Sequence, residues 1–94
     1  MMNFEWDTEK NKANIKKHGV AFEMAAKVFL DEKRIERYDA EHSSMDESRY
    51  KTIGMVGKVL TVIYTERKTA IRIISARLAE KEEIDEYYKD YELR

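Results

Sequence analysis

The chain contains no cysteine and no proline, only three glycines, and almost no net charge. Without cysteine there is no disulfide, no thiolate metal site and no cysteine nucleophile. Without proline there is no Pro-rich linker to separate domains. The glycines, at positions 19, 54 and 57, are too scattered for a Gly-rich phosphate loop, a Rossmann fingerprint or a Gly-x-Ser-x-Gly elbow. Cofactor enzymes therefore find no support, and Ser43, Ser44, Ser48 and Ser75 stand in no His–acid arrangement. Long apolar runs are missing too. The strongest, Val59–Tyr64, is six residues, where a membrane span needs about 20, and no apolar signal core opens the chain. These absences predict a cytoplasmic protein with one domain over residues 1–94.

What is present is charge and aromatic bulk. Of 94 residues, 39% are charged, 19 acidic against 18 basic, and 11% are aromatic, enough to supply a core. The total of −1 speaks against a polycation that coats nucleic acid, but it hides segregation. Residues 1–20 carry +1, residues 21–48 −4, residues 49–77 +6 and residues 78–94 −4. The basic central block is where function is expected.

Periodicity organises the chain as α+β. Asn3–Trp6 alternates like a short strand. Asp7 suits a helix N-cap, and Thr8–His18 ends in Lys16, Lys17, His18 and Gly19, cations and glycine being common helix stops. That helix has thin apolar content, Ala13 and Ile15, and should lie half-exposed. Phe22, Ala25, Ala26 and Phe29 make an i, i+3, i+4, i+7 stripe for a second helix. Strands follow at Arg34–Asp39, Tyr50–Met55, Val59–Glu66 and Ile71–Ala76, with a polar loop at Ala40–Ser48 and turns at Val56–Lys58 and Arg67–Ala70. Ala79–Tyr91 is a final helix, with Ile84, Tyr87, Tyr88 and Tyr91 on one face. The expected architecture is two N-terminal helices on an antiparallel four-stranded meander, with a short N-terminal strand and a C-terminal helix.

Three blocks in this order are similar to the BrnT family: Phe4-Glu5-Trp6-Asp7 with Lys17-His18-Gly19-Val20 and Phe22-Glu23-Met24-Ala25; Arg49-Tyr50-Lys51-Thr52-Ile53-Gly54; and Tyr64-Thr65-Glu66-Arg67 with Arg72-Ile73-Ile74-Ser75-Ala76-Arg77. The resemblance covers nearly the whole chain. It implies a RelE/ParE-like fold and a ribonuclease toxin of a type II toxin–antitoxin pair. It also implies a BrnA-type antitoxin whose DNA-binding domain represses the shared operon. One feature departs from the pattern. The final helix is acidic here, where relatives often carry Arg and Lys, and an acidic helix would weaken a grip on RNA.

The basic block supplies candidate chemistry. Arginine donates two hydrogen bonds from a planar fork and keeps its charge, which suits a phosphate. Arg67, Arg72 and Arg77 are the candidates to stabilise the charge built up when a 2′-hydroxyl attacks the phosphodiester. Arg49, Lys51 and Lys68 would hold flanking phosphates, and Tyr64 could stack on a base. Strict alternation, however, sets Arg72 on the opposite side of its strand from Arg77. Glu66, the one acid between 49 and 77, is a candidate general base, although neighbouring cations would weaken it. An ion pair with Arg67 or Arg72 explains it equally. His18, at a helix C-terminus, is a candidate general acid or a plain cap contact. His42 sits in an acidic loop as a candidate phosphate contact or an ordinary surface histidine. The histidines lack the i, i+4 spacing of a metal pair, so neither metal nor cofactor is expected. One sheet face must meet the helices, leaving the other for RNA.

Two functions fit. One is a metal-independent endoribonuclease toxin that stops translation and is neutralised by its antitoxin, reaching operator DNA only through that partner. The other is a non-catalytic partner of a DNA-binding repressor. A third, plainer reading pairs the basic strands with the acidic helices of the same chain.

Overall fold

The computed structural model describes residues 2–92, with side chains as far as residue 89. Its first strand, β1, is the pair Phe4–Glu5, and helix α1 is Thr8–His18. The Asp7 carboxylate accepts from the Glu9 and Lys10 N–H groups at 2.8 and 3.1 Å, which satisfies donors the helix leaves open. Gly19, at φ 72°, closes the other end with its N–H on the Ile15 carbonyl at 2.8 Å.

Two asparagines dock α1. Ala13 and Ile15 are exposed, whereas Asn11 and Asn14 are buried. Asn14 Nδ2 donates to the carbonyls of Val20 and Ala76, both at 2.8 Å, and its Oδ1 accepts from the Ala76 N–H at 3.2 Å. Its amide thus copies a strand partner for Ala76. Asn11 Oδ1 accepts from the Phe22 N–H at 2.8 Å and fixes the start of the next helix.

That helix, α2, spans Phe22–Ala26 and tightens into a 3-10 turn over Lys27–Leu30. Of the expected stripe, Phe22, Ala25 and Phe29 are buried but Ala26 is only half-buried, and the tighter 3-10 turn brings in Val28 instead. The turn sits so close to the sheet that a Cβ on Gly54 would lie 2.8 Å from Val28 Cγ1.

The sheet is built from β1 with β2 (Ile35–Tyr38), β3 (Arg49–Val56), β4 (Lys58–Arg67) and β5 (Ala70–Leu78), in the order β1-β5-β4-β3-β2. Strands β2 to β5 form an antiparallel meander and β1 pairs parallel with β5. On one face Leu60, Val62, Ile73 and Ala76 pack with Val20, Phe22, Ala25 and Val28 of the α1–α2 layer. Each such burial contributes roughly 1.5–3 kcal/mol for a large side chain.

Helix α3, Lys81–Glu92, packs on the other face. Its Tyr87 joins Ile35, Ile53 and Val59, with Ile84, Met55 and Ala79 alongside. The expectation of one wholly uncovered face is therefore corrected: α3 covers the end nearest the β3–β4 turn. Of the stripe on that helix, Tyr87 is buried, Ile84 half-buried and Tyr88 exposed. The Tyr91 side chain lies outside the described residues.

Candidate nucleic-acid interface

Strand alternation breaks once, in β5. Ile63 stands opposite Ser75 and Tyr64 opposite Ile73, so Ile74 is an extra residue in a bulge. An extra residue shifts alternation by one. Arg77 then lies opposite Thr61, Arg72 opposite Thr65, and Arg67 opposite Ala70. Thr61, Thr65 and Arg67 alternate on one side of β4, so all three arginines share the face that carries α3. This corrects the strict alternation, which divided Arg72 from Arg77.

Two rows of side chains cross that face beyond the cover of α3. One runs Arg37, Lys51, Ile63 and Ser75, and the next runs Arg49, Thr65, Arg72 and Glu5. Neighbouring strands stand about 4.8 Å apart, so the cations form a strip across the sheet. Each is counterbalanced. Arg72 Nη1 donates to Glu5 at 2.9 Å, and Glu47 accepts from Arg49 at 3.0 Å and Arg67 at 3.4 Å. Arg37 meets Glu86 of α3 at 2.5 Å. The six cations remain 27–51% exposed at the side chain, so each can still reach a ligand.

Glu83 of α3 is the exception to this open arrangement. Its buried carboxylate accepts two bonds from Arg77, at 2.7 and 3.1 Å, one from Lys51 at 3.2 Å, one from Thr61 at 3.0 Å and one from the Glu80 N–H at 2.8 Å. Burial alone would raise its pKa. The hydrogen bonds from Arg77, Glu80 and Thr61 outweigh that and hold it at about 2. The same contact raises the Arg77 pKa. Basic strands pairing with an acidic helix is thus observed at Arg77, Lys51 and Arg37.

The remaining expected site residues fall elsewhere. Lys68 is exposed in the β4–β5 turn. Glu66 stands opposite Ile71, which neighbours Phe4, on the reverse face from Arg67 and Arg72. Among the described residues its side chain forms no hydrogen bond or ion pair, so the expected pairing with Arg67 or Arg72 is not made. His18 lines a cavity with Gly57, Lys58, Leu60 and Leu78 at the β3–β4 turn. Strand β4 has ten residues, roughly 30 Å from end to end, so His18 does not join Arg67. Tyr64, expected to stack on a base, is 4% exposed and wedged between Phe29 and Tyr50. Its hydroxyl donates to Glu36, and burial, with that carboxylate second, raises its pKa. Tyr38, 59% exposed and edge-on to Tyr50, is the accessible ring of this series.

The loop after β2 is tied together by side-chain hydrogen bonds. Ser43 Oγ donates to the Asp39 carbonyl at 2.6 Å and accepts from the Arg49 N–H at 2.8 Å. His42 Nδ1 meets Asp39 Oδ2 at 2.7 Å.

A family model described as the ribonuclease toxin BrnT of a type II toxin–antitoxin system matches residues 6–83. The chain belongs to the BrnT family. Its fold is similar to that of the Brucella abortus ribonuclease toxin BrnT, whose crystal structure was determined at 1.1 Å. The two share 27% identity over 86% of this chain and 100% of that one, with a TM-score of 0.64. No curated protein sequence matches. The BrnT match takes in the whole cationic strip and stops at Glu83, two residues into α3 after Lys81. A type II toxin implies an antitoxin partner. Two features of this BrnT chain were underweighted in sequence. The bulge leaves no mark in Ile73-Ile74-Ser75, where every residue suits a strand. The Asp39–His42 pair does leave one, since a carboxylate three residues before a histidine, followed by serine, is the pattern of a side-chain-locked turn.

Proposed function

We propose that this chain is an endoribonuclease toxin of RelE/ParE-like type, acting in the cytoplasm on RNA laid across the α3-bearing face of the sheet. The reading rests on one observation above others: the bulge at Ile74 places Arg67, Arg72 and Arg77 on a common face with Arg49 and Lys51, in a chain of a ribonuclease toxin family. In this reading Arg67 and Arg72 bind the scissile phosphate and Arg49, Lys51 and Lys68 its neighbours. Arg77 joins them when RNA competes with Glu83. Cleavage proceeds without metal, by attack of the 2′-hydroxyl on phosphorus, and leaves a 2′,3′-cyclic phosphate. A BrnA-type antitoxin carrying a DNA-binding domain covers the same basic face and takes the complex to its operator. Glu66 and His18 face away from the strip and have no part in the chemistry. Tyr64 supports the site from within the core.

The test is expression from a tight promoter with and without the neighbouring gene. Growth arrest and RNA fragmentation in its absence are expected, relieved by co-expression and by Arg72→Ala. Normal growth and intact RNA, with abundant folded protein, would overturn the reading. A second reading draws on the Glu83 and Glu86 contacts, which occupy Arg77, Lys51 and Arg37. In it the chain is a non-catalytic partner of a DNA-binding repressor. It predicts tight binding to the neighbouring gene's product and no RNA cleavage at any protein concentration.

A further inference from the structure

We infer that His42, oriented by Asp39, is the general base of the ribonuclease reaction. The inference rests on the endoribonuclease reading above and names a proton acceptor for it. The β2–β3 ladder ends with Tyr38 opposite Tyr50, and the Asp39 N–H continues it onto the Arg49 carbonyl at 2.9 Å. Asp39 is therefore the lateral neighbour of Arg49 and shares its face of the sheet. That is the face of Thr65 and Arg72, so Asp39, which holds the imidazole, stands at one edge of the cationic strip.

The geometry of the pair suits proton transfer. A carboxylate only accepts, so in the neutral imidazole the 2.7 Å contact assigns the proton to His42 Nδ1 and the lone pair to Nε2. Nε2 makes no hydrogen bond among the described residues. The Asp39 side chain is 11% exposed and the His42 side chain 51%. A sheltered acid thus holds an accessible ring, the arrangement that fixes tautomer and orientation in general-base catalysis. The turn does not need the imidazole. Ser43 Oγ already ties the Asp39 carbonyl to the Arg49 backbone, and the His42 N–H reaches Asp39 Oδ1 at 3.3 Å. Neither Glu66 nor His18 offers this, since both point away from the arginines.

The step balances as follows. His42 Nε2 takes the proton of the 2′-hydroxyl while the 2′-oxygen forms a bond to phosphorus. The bond from phosphorus to the 5′-oxygen breaks. The departing oxygen takes a proton from water, and the imidazolium returns its proton to solvent. The products are a 2′,3′-cyclic phosphate and a 5′-hydroxyl end.

The full chain, purified as wild type, His42→Gly, His42→Ala and Asp39→Asn, is assayed on a single-stranded RNA oligonucleotide by appearance of cyclic-phosphate ends. Binding is measured separately on the all-2′-deoxy oligonucleotide, which cannot be cut. Expected is a loss of about 100-fold or more in kcat for His42→Ala, with deoxy-oligonucleotide affinity and thermal midpoint unchanged. Added imidazole restores His42→Gly in proportion to its concentration. Asp39→Asn lowers kcat by a smaller factor and leaves KM alone. His42→Ala cutting within threefold of wild type overturns the inference and leaves the ribonuclease reading standing. A loss matched by weaker binding or unfolding, without imidazole rescue, also overturns it. A wild-type chain that produces no cyclic-phosphate ends overturns both.

Discussion

Asn14 shows how one polar side chain can carry a helix. Its amide satisfies the N–H and carbonyl of Ala76 and the carbonyl of Val20, and each buried backbone group left without a partner costs about 1–3 kcal/mol. Asn14→Ala is therefore expected to lower stability by about 2–4 kcal/mol in urea unfolding, while Ile15→Ala, on the exposed side of α1, changes it by less than about 0.5 kcal/mol. Gly54 is the counterpart in the sheet. Adding a methyl there drives it against Val28 and the Arg34 Cβ, and Gly54→Ala should cost about 1–3 kcal/mol by the same measurement. Neither role was legible in the sequence. An asparagine on a lysine-rich helix looks solvated, and a glycine in a strand gives no hint of what approaches it. The caps at Asp7 and Gly19 were legible, because their signals are local.

Among the elements, α3 has the sharpest pH signature. The Glu83 carboxyl sits near 2 in the folded chain against an ordinary 4.5. Its folded value is depressed, so its contribution is complete above about pH 4.5 and fades as pH falls toward 2. That contribution is on the order of 2–3 kcal/mol. Glu83→Gln should be less stable at neutral pH and should flatten the acid limb of a stability-versus-pH curve recorded by denaturant titration. Most element positions followed from periodicity, since the meander reads as short strands with turn residues at Val56–Lys58 and Arg67–Ala70, and its one bulge shifts faces without moving strand ends. The face chosen by α3 did not. Its stripe of isoleucine and tyrosines fits either side of a sheet, and the choice comes from the tertiary meeting of Glu83 with Arg77, Lys51 and Thr61. The candidate site was half legible for the same reason: the arginines announced themselves, while their partners lie anywhere from 2 to 67 residues away in sequence.

At the scale of the whole molecule, a charge of −1 coexists with a face of closely spaced cations. Affinity for RNA should then come from a few phosphate contacts and fall with salt accordingly. Four contacts to a single strand correspond to a slope of about −3 in log affinity against log salt, and Arg72→Ala should reduce its magnitude by about 0.7. Fluorescence anisotropy on an uncleavable oligonucleotide at 50–300 mM salt, a range of roughly one Debye-length halving or more, measures both. A slope unchanged by that substitution would place RNA elsewhere on the surface. The summed charge alone pointed away from nucleic acid, because averaging over the chain erases what folding brings together.

The bulge at Ile74 makes the cationic face a matter of parity. Between Arg72 and Arg77 the chain must contain one residue that does not count, and its identity matters less than its presence. Drawing Ile74 into the ladder as an ordinary paired residue would leave every charge, every arginine and the whole strand in place, yet send Arg72 and the residues before it to the far side of the sheet if Arg77 kept its register. A sequence comparison would register no change at all. For the surface, it would be an inversion.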